Sequence, residues 1–268
     1  MNHLAESKVP APQARRMVFL LFLAMFVNYY DRTIPAVLME PIRQEFGLTD
    51  TLLGVLNAVF TVTYAVFGIV LGRLADVGVR KKVMGLGLTA WSAATALSGM
   101  AMGFGWFLLA RVGVGIGEAS CAPTAQSMVA DLYAPEQRSR AMGFVMLGLP
   151  LGLVAAFFTG GAIATAMGSW HAVFWLASVP GAVLGVVMLL MPEPPRHVAV
   201  QEGSDGGIGH ALRLVWAVRS ARWLTLGAIG FGLAGYVGTG FMVALLQRYF
   251  HMPLIQAGMT SGIIIGMT

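Results

Sequence analysis

The charged side chains that could do chemistry in this sequence lie inside stretches that are otherwise apolar. Asn28, Asp31 and Arg32 interrupt one such run, and Arg111 and Glu118 interrupt another that is rich in glycine, alanine and valine. Each charge costs about 3 kcal/mol at the centre of a bilayer, so intramembrane charges mark functional sites by default. A carboxylate whose distance from an arginine changes with conformation can also take up and release a proton, which is the physical requirement of proton coupling.

The spacing of these residues places each set on one face of a helix. The run Asn28–Pro35 carries its polar residues and its proline at i, i+3, i+4 and i+7, and Arg111, Gly115 and Glu118 follow i, i+4 and i+7. We therefore expect a polar cavity between the two helices, with these residues in substrate binding or proton coupling. The alternative is a buried ion pair that only holds the two helices together.

The composition predicts an all-α polytopic membrane protein. The sequence is 57% hydrophobic and 11% charged, with a mean hydropathy of +0.75. Soluble domains carry about 25% charged residues, so this chain could not cover a globular surface. The net charge of +5 does not indicate nucleic-acid binding, because lysine and arginine lie in short links between apolar runs.

Eight apolar runs reach or approach the length of about 20 residues that a membrane-spanning helix needs. They cover 17–38, 52–75, 82–102, 105–130, 140–164, 170–191, 222–247 and an unfinished run from about 254. We expect a tail (1–16), a six-helix bundle (17–191), a linker (192–221) and the incomplete start of a second bundle (222–268). Basic links alternate with neutral ones, which predicts a cytoplasmic amino terminus and linker. The last run stops at Thr268 within a helical pattern, so we expect a truncated chain.

A second set of charges lies in the links on the predicted cytoplasmic side. The link between the second and third runs holds Asp76, Arg80 and Lys81 after Gly72, and the link after the fourth run holds Asp131, Arg138 and Arg140. Charges on one side of a helical bundle can form a network that favours one conformation. The alternative is a set of solvated loops whose charges only fix orientation.

Enzyme chemistry is a weaker interpretation of the same sequence. The histidines are scattered in loops without His-x-x-x-His or Ser-His pairs, and the single Cys121 has no histidine nearby. We therefore expect no catalytic residues, no metal site and no cofactor.

Two motifs resemble those of the major facilitator superfamily, and three further segments resemble the spinster-like group within it. The link GRLADVGVRK resembles the superfamily motif G-x-L-A-D-x-x-G-R-K, with Val77 where an arginine is common and Gly78 one place early. Arg111-x-x-x-Gly115-x-Gly117 resembles its fourth-helix motif. NYYDR (28–32), GIGEAS (115–120) with Pro123, and PEQRSRAMG (135–143) are similar to the spinster-like group.

The resemblance implies a fold of twelve helices in two halves and the function of a secondary transporter working by alternating access. Spinster-like proteins are associated with lysolipid and sphingolipid-type substrates, and Asp31, Arg32 and Glu118 match a family network for substrate binding and proton coupling. We expect a small amphipathic or organic-anion solute, possible protons and membrane lipids as partners, and a bacterial inner membrane. The alternatives are a truncated, non-transporting fragment or scaffold, and a sugar or drug transporter of the same superfamily.

Overall fold

The computed structural model describes residues 11–196, 209, 213 and 216–267. The first ten residues of the predicted tail, and much of the predicted linker, lie outside this part of the chain. Within it the structure is helical. The helices are α1 (Ala11–Val37), α2 (Met39–Phe46), α3 (Asp50–Val77), α4 (Arg80–Ser98), α5 (Phe104–Glu118), α6 (Cys121–Leu132), α7 (Pro135–Met146), α8 (Gly148–Met167), α9 (His171–Leu190), α10 (Arg219–Phe250) and α11 (Leu254–Gly266).

Each of the eight predicted runs is helical, with two differences in detail. The fourth run is divided into α5 and α6 at Ala119 and Ser120, and the fifth into α7 and α8 at Leu147. Four helical stretches of the described chain are long and apolar enough to cross a membrane: Pro12–Val37, Asp50–Val77, Pro135–Met167 and His171–Leu190. Helices α4 and α5 are not among these four stretches. Helix α4 begins with three consecutive basic residues, and α5 has only 15 residues because it ends at Glu118.

The short helix α2 was not predicted from the sequence. It has the residues MEPIRQEF, which bury one face and expose the other, and it ends at Gly47 in the left-handed conformation (φ 62°). Thr49 then begins α3 by accepting a hydrogen bond from the Leu52 amide at 3.4 Å. Helix α2 therefore lies between α1 and α3 as a separate element at the predicted outer side.

Glycines allow the closest helix contacts, as expected where lipid removes the hydrophobic drive for association. A Cβ atom at Gly152 of α8 would lie 2.2 Å from the carbonyl oxygen of Phe26 in α1. A Cβ at Gly185 of α9 would lie 2.6 Å from Thr89 Cγ2 in α4. These two contacts fix the positions of α1 and α4, the helices that carry most of the polar site.

Two apolar clusters fill the interior, and the buried charges of α1 lie between them. One cluster takes its α1 members from Ala14 to Met25, and the other takes Ile34 and Val37 from the same helix. The segment Asn28–Thr33 falls between the two and contains three buried polar residues. The polar site is therefore a layer across the bundle, closed on both sides by apolar packing.

Candidate functional site

Arg32 of α1 forms a buried ion pair with Glu118 at the end of α5. Arg32 Nε and Nη2 donate to Glu118 Oε2 at 3.2 and 3.1 Å, and Nη2 also contacts Asn28 Oδ1 at 3.4 Å. The Glu118 side chain is fully buried, whereas Arg32 retains 12% exposure. The second carboxylate oxygen of Glu118 is buried without a hydrogen-bond partner among the described residues. The pair is therefore joined through one oxygen only.

The Arg32 guanidinium is also surrounded by aromatic rings. Its Cζ atom lies 4.2 Å from the ring centroid of Tyr64, 5.0 Å from that of Tyr29 and 5.3 Å from that of Phe60. Each ring face attracts a cation by about 0.5–2 kcal/mol. The arginine thus has a favourable environment that does not depend on Glu118 alone.

Asp31 is connected to Arg111 through Thr95 of helix α4. The Thr95 hydroxyl donates to Asp31 Oδ2 at 3.2 Å, and Arg111 Nη2 lies 3.5 Å from the same hydroxyl oxygen. Arg111 donates more closely to Ser98 Oγ, at 2.9 and 3.2 Å. The two charges do not form a direct ion pair. Sequence reasoning missed Thr95 and Ser98, although hydroxyl residues three positions apart in an apolar helix were a usable signal.

A cavity of about 350 Å³ lies beside this charged layer, between α1, α3, α5, α8 and α10. Arg32 and Arg111 are its charged lining residues, Asn57 adds a polar group, and Gly235 and Gly240 bring in α10. The rest of its wall is mainly apolar, and none of the described carboxylates lines it. This arrangement suits a solute with an anionic group and an apolar body.

A second charged cluster is centred on Arg80 at the start of α4. The guanidinium is buried and pairs with Asp131 at the end of α6, and its Nη2 donates to the Pro194 carbonyl at 2.6 Å. Arg80 Nε donates to Glu193 Oε1 at 3.0 Å. A single arginine therefore joins α4, α6 and the segment that follows α9.

Glu193 was not identified from the sequence. Its two oxygens accept from the backbone amides of Arg80 at 3.1 Å and Lys81 at 2.9 Å, so the carboxylate caps the amino terminus of α4. Lys81 Nζ donates to the Met191 carbonyl at 2.8 Å. Arg196 adds a hydrogen bond to the Ala75 carbonyl at 2.9 Å. These contacts form because the segment that follows α9 packs against the start of α4, which the sequence alone does not show.

Among the described contacts, the side chains of the other residues of the predicted cytoplasmic set do not join this cluster. Asp76 is exposed and contributes its main-chain carbonyl, which accepts from Arg196. Gly72 faces Pro123 of α6, 3.6 Å from the position of an added Cβ. Arg138 donates to the Tyr133 carbonyl at 3.0 Å, and Arg140 lies exposed in a separate groove.

A third ionic cluster lies at the opposite end of the bundle and joins α2 and α3 to α10. Arg248 donates to Glu40 Oε2 and to Asp50 Oδ1, both at 2.8 Å. Arg43 binds the same Glu40 carboxylate at 2.6–3.1 Å. The hydrogen bonds from Arg43, with those from Arg248 and Gln44, lower the pKa of Glu40 to about 2, against an opposing effect of burial.

Comparison with known proteins identifies relatives of one kind. The family profile described as Major Facilitator Superfamily matches residues 21–268. An MFS-type efflux pump of Mycolicibacterium smegmatis is 34% identical over 93% of this chain and 58% of its own length. The sphingosine-1-phosphate transporter SPNS2 of Mus musculus is 34% identical over 69% of this chain and 34% of its own.

The solved structures include a bacterial homologue of the human lysosomal transporter Spinster, in an inward-facing and unoccupied conformation. It superposes with a TM-score of 0.84 at 30% identity, covering 96% of this chain and 60% of that one. The chain thus spans just under three fifths of the efflux pump and three fifths of this structure.

Proposed function

The chain belongs to the major facilitator superfamily, with spinster-like relatives, and we propose that it acts in secondary active transport of a small amphipathic or organic-anion solute. The family consists of integral membrane transporters rather than enzymes. The observation that carries the proposal is the cavity lined by Arg32 and Arg111, with none of the described carboxylates in its wall and with Glu118, the partner of Arg32, fully buried.

The solute's anionic group would bind between Arg32 and Arg111. Both arginines line the cavity, whereas their hydrogen-bond partners Glu118 and Ser98 do not. An apolar tail would lie along the mainly apolar remainder of the wall. A lysolipid-like solute has this chemistry, and SPNS2 by its name carries a phosphorylated lipid.

Proton coupling would follow from competition between Glu118 and the solute's anionic group for Arg32. An anion that draws the guanidinium into the cavity leaves Glu118 fully buried and without its cation, since Arg32 is its only described hydrogen-bond partner. An isolated buried carboxylate is costly, and a proton from solution removes that cost. Binding of the anion and uptake of the proton would thus favour each other.

The cluster around Arg80 would serve as a cytoplasmic latch. It joins three separate elements through a single buried guanidinium, and the Glu193 carboxylate binds the first turn of α4. The cluster of Arg248, Glu40 and Asp50 would tie α10 to the first bundle on the outer side. The basic links support a cytoplasmic amino terminus, and the bacterial efflux pump among the relatives supports a bacterial inner membrane as the location.

A drug efflux function is the second candidate. The Mycolicibacterium smegmatis efflux pump matches more of this chain than SPNS2 does, 93% against 69%, and the cavity wall is largely apolar. An uncharged or cationic apolar solute would then be expected to bind as well as an anion.

Equilibrium binding of two soluble amphiphiles separates the candidates. Octyl phosphate and octyl glucoside share a tail and differ in the charge of the head group. We expect the purified chain to bind octyl phosphate at least about tenfold more tightly, because a hydrogen bond to a charged group contributes about 1.5–3 kcal/mol. Arg111→Gln should remove this preference, and Arg73→Gln, at an exposed position away from the cavity, should keep it. Equal binding of both amphiphiles would reject the anion site.

Coupling is tested by uptake into proteoliposomes under an imposed pH gradient. Glu118→Gln should retain solute binding and lose the dependence of uptake on the gradient. Normal uptake with an unchanged pH profile in this variant would exclude Glu118 as the coupling group.

A further inference from the structure

A groove on the predicted cytoplasmic side, separate from the cavity, has the features of a phospholipid site. It lies between the first part of α1 and α7 and has a volume of about 630 Å³. Its lining includes Arg15 and Phe19 from α1, and Arg140 and Phe144 from α7. None of its lining residues is shared with the cavity that holds Arg32 and Arg111.

The two helices present the same pattern to the groove. In each, an arginine is followed four residues later by a phenylalanine, so both lie on one helix face. Both helices begin on the predicted cytoplasmic side, which places each phenylalanine roughly 6 Å deeper than its arginine. The groove therefore has a cationic rim and an apolar floor.

The apolar floor is continuous between the two helices. The Phe22 ring of α1 lies 5.1 Å from the Phe144 ring and 6.0 Å from the Phe19 ring, measured between centroids. Phe19 and Phe144 nevertheless keep 51% and 41% of their surface exposed. An acyl chain would cover this exposed aromatic surface.

The cationic rim has no counter-charge within the described part of the chain. Neither Arg15 nor Arg140 forms an ion pair there, and no described carboxylate lines the groove. Glu136 lies one turn before Arg140, at a spacing that commonly pairs, yet the two do not pair. Two arginines that line one groove, with no ion-pair partner among the described residues, are complementary to a phosphate.

We propose that this groove binds one anionic glycerophospholipid of the bilayer, with its phosphate between Arg15 and Arg140 and one acyl chain along Phe19 and Phe144. Basic pockets between membrane helices on the cytoplasmic side bind acidic lipid head groups in this way. The bound lipid would hold α1 against α7, independently of the transported solute.

Native mass spectrometry of the purified chain, titrated with phosphatidylglycerol or phosphatidylcholine, tests the proposal. We expect one phosphatidylglycerol to be retained in preference to phosphatidylcholine. Arg15→Gln with Arg140→Gln should weaken that retention about tenfold or more. Arg16→Gln with Arg73→Gln removes the same number of charges outside the groove and should leave it unchanged.

Two further variants separate the parts of the site. Arg15→Lys with Arg140→Lys keeps the charges and should retain the preference for phosphatidylglycerol, which distinguishes loss of binding from loss of folding. Phe19→Ala with Phe144→Ala should weaken phosphatidylglycerol binding and leave competition by inorganic phosphate unchanged.

Three outcomes would overturn the lipid site: equal retention of the two lipids, full retention by the double glutamine variant, or displacement by inorganic phosphate as effective as by lipid. The last would indicate an ion site only. Arg111→Gln, which alters the cavity, should leave lipid retention unchanged, so failure of this proposal is separate from failure of the transport proposal.

Discussion

Replacing Arg32 by glutamine should destabilise the protein much more than replacing Glu118 by glutamine, although the two side chains form one ion pair. Arg32→Gln leaves a fully buried carboxylate without a cation, and breaking a buried pair in this way costs about 3–5 kcal/mol. Glu118→Gln leaves an arginine that still borders the cavity and contacts three aromatic rings. The amide oxygen of the new glutamine at position 118 can still accept a hydrogen bond from Arg32. We therefore expect Glu118→Gln to lower the free energy of unfolding by only about 1 kcal/mol.

The single cysteine gives a direct assay. Cys121 is buried, with its Sγ 3.6 Å from Met25 Sδ, so a thiol-reactive fluorogenic dye can label it only after unfolding. For a chain of this size each kcal/mol shifts the melting temperature by about 2–4 °C. Arg32→Gln should therefore lower it by roughly 6–20 °C, and Glu118→Gln by about 2–4 °C.

The double variant and a surface control complete the test. Arg32→Gln with Glu118→Gln should melt above Arg32→Gln alone, because no unpaired buried charge remains. Arg73→Gln, at an exposed position, should change stability by less than about 0.5 kcal/mol. Equal destabilisation by the two single changes, or a double variant less stable than Arg32→Gln, would refute the reasoning that Arg32 neutralises Glu118.

Three further predictions concern the latch, the outer cluster and the packing. Glu193→Gln should accelerate hydrogen exchange of the first amides of α4, because it weakens their cap; unchanged exchange would contradict this role. The pKa of Glu40 is lowered to about 2, below the ordinary value of 4.5, so the contribution of Glu40 to stability is complete above about pH 5 and is lost as the pH falls toward 2. Glu40→Gln should therefore flatten the dependence of the melting temperature on pH between about pH 5 and about pH 2. Parallel curves for the variant and the unchanged protein would argue against this role. Gly152→Ala should cost about 1–3 kcal/mol in the dye assay because its Cβ would overlap a backbone carbonyl of α1, whereas Gly103→Ala, which meets open space, should be neutral; equal melting temperatures would refute the packing argument.

The sequence was most informative where local spacing determines the outcome. Composition and the length of the apolar runs predicted the helical membrane fold, and the spacing of Asn28–Arg32 and of Arg111–Glu118 selected the charges that the structure groups in one layer. The motif resemblance predicted the family, which the comparisons confirm. These predictions depend on composition and on residues that are close to each other in the sequence.

The hydrogen-bond and ion-pair partners of these charged side chains could not be predicted in the same way. Arg32 and Asp31 are neighbours on α1, but Arg32 pairs with Glu118 of α5 whereas Asp31 accepts a hydrogen bond from Thr95 of α4. Glu193 reaches Arg80 across more than a hundred residues of sequence. No local pattern encodes such contacts, since they depend on which helices pack together and at what distance.

The distance between neighbouring helices is set largely by the glycines. The packing of the bundle therefore also determines the geometry of the charged layer. A Cβ at Gly117 of α5 would lie 2.7 Å from Trp91 Cβ of α4, and one at Gly181 of α9 would lie 2.3 Å from Ser92 Oγ of the same helix. Helix α4 is thus held closely from two sides at the level just before Thr95. A threonine hydroxyl is short, so it can bridge charges on α1 and α5 only if all three helices approach closely. The small residues that make the bundle compact in lipid therefore also bring its buried charges within hydrogen-bonding distance.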